Sequence, residues 1–197
     1  MNEVLTRGQI LEAAEQVFRR FGPQKTTVVD VARALGVSHG SVYRHFDSKV
    51  TLRDAVLEGW LKRVSDPLAV IAVSDLPPAE RLRAWFAALL AMKRGKVTTD
   101  PELFSVSRAI FAEAREVVAD HVAHLVEQLE TIIRAGVASG DFATDDAHAA
   151  AQAIFDATSR FHDPAHAREW AEPGVDAAFE RVYSLVALSL SPAKGGR

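Results

Sequence analysis

Residues 26–49 have the sequence TTVVDVARALGVSHGSVYRHFDSK, which predicts two short helices joined by a glycine turn. The apolar residues of the first half recur with the i, i+3, i+4, i+7 spacing of one helix face: Val28, Val31, Ala32 and Leu35. Thr26 or Thr27 is suited to cap this helix, and Gly36 supplies the turn after it. We therefore expect a short amphipathic helix that packs one face against a core.

The second helix of the pair carries much less apolar surface. Ser38 is a suitable N-cap, and only Val42 and Phe46 form an apolar seam. The outward positions hold donors, acceptors or small residues: His39, Gly40, Ser41, Tyr43, Arg44 and His45. A helix-turn-helix needs this asymmetry, because its first helix braces against the core while its second enters the major groove of DNA. The pair is therefore interpreted as a DNA-reading element.

The region from about Ile10 to Leu57 resembles the TetR-type (TetR/AcrR-like) transcriptional regulators. The resemblance is carried by ILEAAEQVFRRFG at residues 10–22, by residues 26–49, and by a fourth helix that begins near Lys49. Val50 departs from the pattern, since the family commonly has an acidic residue after the lysine. Beyond residue 65 the resemblance is architectural only.

The resemblance implies an all-α fold of about nine helices. An N-terminal three-helix helix-turn-helix DNA-binding domain is expected over residues 1–48. A C-terminal helical ligand-binding and dimerisation domain is expected over residues 49–197. The implied function is a sequence-specific DNA-binding transcriptional regulator, a repressor by expectation, with no enzymatic activity.

Composition agrees with such a regulator and excludes several other classes. The net charge is −3, but residues 1–63 hold 10 Lys/Arg against 7 Asp/Glu, so the positive excess lies in the part with the motif. The absence of cysteine excludes disulfides, thiolate metal sites and cysteine nucleophiles. The sequence contains neither a long apolar run nor a signal-peptide core, so a cytoplasmic location without a membrane partner is expected. No cofactor is predicted.

The helical spacing of apolar residues, together with capping and helix-breaking residues, predicts helices along the rest of the chain. The first should cover residues 6–20 behind Thr6, with an apolar side of Ile10, Ala13, Ala14, Val17, Phe18 and Phe21. The fourth should end before Asp66-Pro67. Later helices are expected from Pro78 to about residue 94, for about 14 residues from Pro101, and over residues 116–138, 144–162 and 174–190, with a loop at 163–174.

Roles in the reading head follow from chemistry and from the resemblance. His39, Ser41 and Arg44 are candidates for base edges, since arginine pairs bidentately with guanine. Gly40 allows close approach at the helix end that Ser38 caps. The resemblance implies phosphate contacts for four further residues, Thr27, Tyr43, His45 and Lys49, and helix N-termini add amide donors. An alternative is that Tyr43 and His45 only cap or pack within the small domain.

The last two predicted helices carry faces that suit close packing. One face holds Ala147, Ala150, Ala151, Ile154, Ala157 and Thr158, and the other holds Val175, Ala178, Phe179, Val182, Val186 and Leu190. These faces either form an ordinary intramolecular core or, as the resemblance implies, a two-fold four-helix homodimer interface. A dimer predicts a palindromic operator, because two reading heads bind two half-sites.

A small-molecule effector of unknown identity is the expected input. Candidate pocket residues are Trp85, Phe86, Leu89, Met92, Phe104, Phe111 and Phe155, with Arg108 and His121 as polar groups that orient a ligand. Plain core packing is the alternative for each aromatic residue.

Two local motifs are compatible with other functions. Residues 36–40, GVSHG, match the nucleophile elbow of serine hydrolases, but that motif requires a strand before the serine. His121 with His124, and His162 with Asp163 and His166, have spacing that could serve a metal-responsive regulator.

Overall fold

Nine α-helices and two 3₁₀ helices make up the described part of the chain. The computed structural model describes residues 5–111 and 113–192, except for the side chains at positions 103, 108 and 109. The α-helices are α1 (Arg7–Phe21), α2 (Val28–Leu35), α3 (His39–Tyr43), α4 (Lys49–Ala72), α5 (Pro78–Thr99), α6 (Pro101–Phe111), α7 (Arg115–Ser139), α8 (Ala147–Ala157) and α9 (Val175–Ser189). The 3₁₀ helices are Ser159–Phe161 and Pro164–Ala171. No strand occurs in these residues, and the predicted all-α class is confirmed.

Side-chain caps fix where the first helices begin. Thr6 accepts a hydrogen bond from the Gln9 amide, and the Gln9 side chain accepts one from the Thr6 amide. Thr27, rather than Thr26, forms the same reciprocal box with Asp30 at the start of α2. Gly36 ends α2 in the left-handed region with φ 67°. These local bonds fix where α1 and α2 begin and where α2 ends.

The described residues divide into two compact units. Unit 1 contains the residues up to Arg63 together with Asp100–Ala119, and unit 2 contains Val64–Thr99 and the residues from Asp120 onward. Helices α4 and α7 therefore each contribute residues to both units. The predicted boundary after residue 48 is a functional division rather than one of packing, and it stays a prediction.

Unit 1 has a core that holds the helix-turn-helix. Val31, Val42 and Phe46 are fully buried in it, as is Ile10 of α1. The end of α6 and the start of α7 join the same core through Ile110, Ala114 and their partly buried neighbours. Arg53 of α4 also pairs with Glu113, with an Nη1 to Oε2 distance of 2.5 Å. This attachment of residues 100–119 was not predicted from the sequence.

Unit 2 is built around two long helices. The buried side chains Trp85, Phe86 and Leu89 of α5 pack in one core with α7, whose Leu129, Ile132 and Ile133 are fully buried. Helices α8 and α9 close this core through residues such as Ala151 and Phe179. No described helix is long and apolar enough to cross a membrane.

Predictions on Phe21 and Pro67 were wrong. Phe21 is 53% exposed rather than inward, because α1 ends at this residue and the Arg20 guanidinium lies over its ring at 5.1 Å. Helix α4 continues through Pro67 to Ala72, although proline removes a helical hydrogen bond at about 3 kcal/mol or more. Burial of Leu68 and Ala72 in the unit 2 core offsets that loss.

Residues 144–174 also differ from their predicted structure. Helix α8 is shorter than predicted and is followed by the first 3₁₀ helix, with the buried Thr158 hydroxyl donating to the Ile154 carbonyl at the junction. The predicted loop contains the second 3₁₀ helix, whose start is capped by Asp163. Trp170 within it is buried, and its Nε1 donates to the Arg160 carbonyl at 2.9 Å. A buried side chain therefore orders a segment whose proline and glycine content predicts a loop.

Candidate nucleic-acid interface

Helix α3 presents the polar surface that the sequence predicted. His39, Gly40, Tyr43 and Arg44 are exposed, whereas Val42, together with Phe46 just beyond the helix, is fully buried. The His39 and Tyr43 rings meet edge to face with centroids 6.4 Å apart. The apolar seam therefore anchors the helix while the opposite side faces solvent.

A chain of hydrogen bonds runs along the outer edge of α3. The Ser41 amide donates to Ser38 Oγ at 3.3 Å, which confirms Ser38 as the N-cap. The two serine hydroxyls lie 2.9 Å apart, and Arg44 Nη2 donates to Ser41 Oγ at 3.3 Å. The Arg44 guanidinium thus lies back along α3 toward its N-terminal turn, the end that enters the groove in helix-turn-helix proteins.

The predicted phosphate contacts Thr27 and Lys49 are held at helix starts. Thr27 Oγ1 donates to Asp30 Oδ2 at 2.6 Å, and hydrogen bonds from the Thr27 side chain and then from its backbone lower the pKa of Asp30. Lys49 Nζ donates to the Gln24 carbonyl at 2.7 Å, which ties the start of α4 to the loop before α2. His45 is half-buried, in contrast to the exposed Tyr43.

Two features of this surface were not predicted from the sequence. Ser48 caps α4, because its Oγ accepts from the Thr51 amide at 3.0 Å, and the S-x-x-T spacing was a local signal for it. The exposed Arg7 guanidinium lies 4.5 Å from the Phe46 ring centroid. No spacing rule identifies that contact, since 38 residues separate the pair along the chain.

The predicted effector residues do not all lie in one unit. Unit 2 contains Trp85, Phe86, Leu89, Met92, His121 and Phe155. Unit 1 contains Phe104 and Phe111. Phe111 packs against the unit 1 core, and Trp85, Phe86 and Leu89 are fully buried core residues. The side chain of Arg108 lies outside the described residues. The effector assignments therefore stay predictions.

A buried polar relay crosses the interior of unit 2. Trp85 Nε1 donates to Gln128 Oε1 at 3.0 Å, and Gln128 Nε2 donates to the Ser65 carbonyl at 3.1 Å. One amide side chain thus joins α5 and α7 to the C-terminal half of α4. Because buried polar groups are expensive to leave unpaired, the relay fixes these three helices in register.

The helices α8 and α9 contain both core and exposed apolar residues. Several predicted interface residues are buried within unit 2 itself, namely Ala151, Ile154, Val175, Phe179, Val186 and Leu190. Leu185 and Leu188 are instead 68% and 71% exposed. Leu185 also lines a surface groove of about 330 Å³ together with Ala150, Ala153 and Ala157. Some residues of the two predicted faces are therefore used for packing within unit 2, and others border an exposed groove.

The two alternative motifs have other geometries. The segment before Ser38 is helix α2 and a left-handed glycine, not the strand that a nucleophile elbow requires. Among the described residues, no three metal-ligating side chains lie together. His124 and His166 instead face Glu127 and Glu169, and His162 Nε2 lies 3.2 Å from the Phe155 carbonyl.

Helix α3 is a short polar helix that is anchored by a buried apolar seam and capped at its start. A helix and a glycine turn precede it. This arrangement defines a helix-turn-helix DNA-binding protein. Comparison with known proteins narrows this class. The family model of the bacterial regulatory proteins of the tetR family matches residues 10–56, and that of the tetracyclin repressor-like C-terminal domain matches residues 78–183. The chain belongs to the TetR family and is a DNA-binding transcriptional regulator.

Curated relatives and solved structures agree with this assignment. The chain is 32% identical over 151 residues to the HTH-type transcriptional repressor KstR2 of Rhodococcus jostii (strain RHA1). This match covers 71% of this chain and 69% of that repressor. Other curated relatives match over shorter segments, such as TtgR of Pseudomonas putida, of which the chain covers 33%.

The fold is shared with distant regulators. SmeT, the repressor of the Stenotrophomonas maltophilia multidrug efflux pump SmeDEF, has a TM-score of 0.69 at 18% identity, over 96% of this chain and 92% of that one. FadR from Bacillus subtilis, solved with stearoyl-CoA, has a TM-score of 0.67 at 19% identity, over 94% of this chain and 100% of that one. At these identities the likeness concerns the fold alone.

Proposed function

We propose that this chain represses transcription as a homodimer on a palindromic operator and is released by a small organic effector. The observation that carries the proposal is the exposed edge of α3, where Arg44 is positioned by Ser41 and Ser38. Repression is also the activity in the name of the KstR2 relative. In this proposal residues 1–48 bind DNA, and residues 49–197 bind the effector and form the dimer.

Within the reading head, base recognition is assigned to His39, Ser41 and Arg44. A guanidinium aligned along the recognition helix suits a bidentate contact with guanine. Gly40 permits close approach of the backbone beside them. Contacts with the phosphates of the DNA backbone are assigned to Thr27, Ser38, Tyr43, His45 and Lys49. Such contacts position the protein without reading the base sequence. Arg7 joins this group, because its guanidinium is exposed beside the Phe46 ring.

The homodimer is supported by the exposed leucines of α9. Leu185 and Leu188 would be costly to leave in water, and the neighbouring groove is lined by alanines that allow close helix approach. A second copy of the same surface fills such a groove in an isologous two-fold contact. Two reading heads then bind half-sites separated by one or more helical turns.

Effector control follows from thermodynamic linkage. An effector that prefers a geometry with wrongly spaced reading heads must weaken operator binding, and the operator must weaken effector binding by the same factor. Typical coupling of about 1–3 kcal/mol gives roughly 5–150-fold control. Helix α4 is the proposed transmitter, since it starts directly after the DNA-reading residues 1–48 and the Ser65 carbonyl in its far half accepts a hydrogen bond from Gln128.

Selection of random double-stranded DNA by the purified protein tests the proposal. Enrichment of one palindrome, bound by two copies, is the expected result. Specific affinities for such sites are commonly about 10⁻⁸–10⁻¹¹ M at physiological salt. Enrichment of a single half-site bound by a monomer would contradict the dimer, and salt-sensitive binding without enrichment would contradict sequence-specific reading.

A further inference from the structure

A groove in unit 1 lies between the last two turns of α1 and helix α2. Its volume is about 720 Å³, which falls in the range of small-molecule sites. The buried Val17 of α1 and the small Ala34 of α2 line it from the two sides. None of its lining residues is among the proposed DNA contacts or the effector candidates, so neither role explains the groove.

An aromatic ring borders this groove. Phe21, at the end of α1, lines it and is 53% exposed. The Arg20 guanidinium, which also lines the groove, lies over the ring with its Cζ 5.1 Å from the ring centroid. Exposed aromatic rings and guanidinium planes are the surfaces on which unpaired nucleic-acid bases stack. The groove therefore offers a stacking platform at its edge.

The charged side chains of the groove are mainly positive. Arg20, Lys25 and Arg33 line it with one carboxylate, Asp30, whose Oδ1 pairs with Arg33 Nη1 at 3.0 Å. The other oxygen of Asp30 accepts hydrogen bonds from the amide and the hydroxyl of Thr27. In the part of the chain that the structure describes, the side chains of Arg20 and Lys25 form no ion pair and no hydrogen bond. Two cations of the groove are therefore free to bind an anion.

The platform and the two free cations together select one kind of ligand. A phosphate monoester carries a charge of about −1.5 to −2 at neutral pH, which matches two cations better than the single charge of a carboxylate does. Inorganic phosphate would leave the Phe21 ring in water. Duplex DNA offers phosphates, but its bases are stacked on each other and have no free face for the ring. A free nucleotide has both the phosphate and an unstacked base.

We propose that this groove binds a nucleoside 5′-phosphate, with the base stacked on Phe21 and the phosphate bound by Arg20 and Lys25. The amide of Gln16, which also lines the groove, can hydrogen-bond the edge of the base. This is a second ligand site, built from residues 16–34, whereas effector binding is proposed for residues 49–197. Nucleotide binding here does not depend on the proposed function.

Calorimetric titration of the full-length chain without DNA tests the proposal. The probes are the 5′-mono- and triphosphates of adenosine, guanosine, cytidine and uridine, with the four nucleosides and pyrophosphate as controls. At least one nucleotide should bind at least about tenfold more tightly than both its nucleoside and pyrophosphate, or ~1.4 kcal/mol. Equal affinity for pyrophosphate would reduce the effect to attraction between charges. That result, or no binding of any nucleotide, would overturn the proposal.

A pair of variants at Phe21 tests the stacking. Phe21→Leu removes the ring and should lower nucleotide affinity to that of pyrophosphate, whereas Phe21→Tyr keeps the ring and should bind as the wild type does. Because the side chain is exposed, both variants should keep the core of unit 1 and melt near the wild-type temperature. Wild-type affinity in Phe21→Leu would refute the stacking of the base.

Charge variants locate the phosphate. Arg20→Gln combined with Lys25→Gln should weaken nucleotide and pyrophosphate binding alike, because both probes carry the phosphate. Lys62→Gln is the matched control, since it removes a 63% exposed cation of α4 in the same unit and outside the groove. It should leave binding unchanged. An equal loss in Lys62→Gln, or no loss in the double variant, would refute the assignment of the phosphate to this groove.

Discussion

Replacing Gly136 by alanine tests the packing of unit 2. A Cβ at this position of α7 would lie 2.1 Å from Phe142 Cδ2 and 2.6 Å from its Cγ, far inside van der Waals contact. The ring cannot move away cheaply, because Phe142 is 8% exposed and the amides of Asp141 and Phe142 both donate to the Gly136 carbonyl, at 2.9 and 3.0 Å. The substitution therefore forces the core to shift.

The expected size follows from two opposing effects. Alanine in a helix interior gains about 0.5–1 kcal/mol over glycine. Overpacking typically costs about 1–3 kcal/mol, and full expulsion of a buried phenylalanine about 3–5 kcal/mol. We expect a net loss of about 1–3 kcal/mol in the free energy of unfolding, or roughly 2–4 °C of melting temperature per kcal/mol for a chain of this size.

Urea denaturation followed by circular dichroism measures the change. Gly95→Ala, on α5 of the same unit, is the matched control, because its Cβ would meet nothing within 4 Å. That variant should be neutral or slightly stabilised. In a Phe142→Ala background Gly136→Ala should also become stabilising. Equal stability of Gly136→Ala and Gly95→Ala, or the same loss with Phe142 absent, would refute the reasoning.

Three further predictions concern DNA reading, assembly and acid stability. Arg44→Ala should change the selected operator sequence at one or two base pairs at about 1–3 kcal/mol each, whereas Lys49→Ala should weaken all sequences and reduce the salt slope by about one; gel-shift titrations against salt distinguish them. Leu188→Asp should shift the protein to monomers in light scattering, while Val73→Asp, at a 70% exposed position of unit 2, should leave its mass unchanged. Burial lowers the pKa of His162 from 6.5 to about 4. The contribution of the neutral His162 to the free energy of unfolding should therefore be fully present above pH 6.5 and be lost as the pH falls through 4. In urea titrations, His162→Gln should make the free energy of unfolding fall less steeply over this pH range.

Features that depend on a few neighbouring residues were predictable. The caps at Thr6 and Ser38 and the glycine turn at Gly36 follow from side chains within three residues of the bonds they make. The buried seam of Val42 and Phe46 follows from helical spacing. These short-range rules locate the reading head without knowledge of the rest of the chain.

Features that depend on distant partners were not predictable. Pro67 and Phe21 were misjudged because tertiary burial and the end of a helix override local preference. The bond from Gln128 to Ser65 spans 63 positions, and no spacing rule indicates it. The assignment of Phe111 to unit 1 likewise depends on packing that only the folded chain reveals.

The shortness of α3 has a consequence for how this regulator can change over evolution. The helix has only five residues, and its hold on the protein comes from Val42 and the adjacent Phe46 rather than from the groups that face outward. Under the proposed base contacts, mutations at His39 or Arg44 should therefore alter which promoters are recognised, with little penalty in folding. The same independence makes these positions suitable for a randomised library, in which new operator preferences can be selected on an unchanged scaffold.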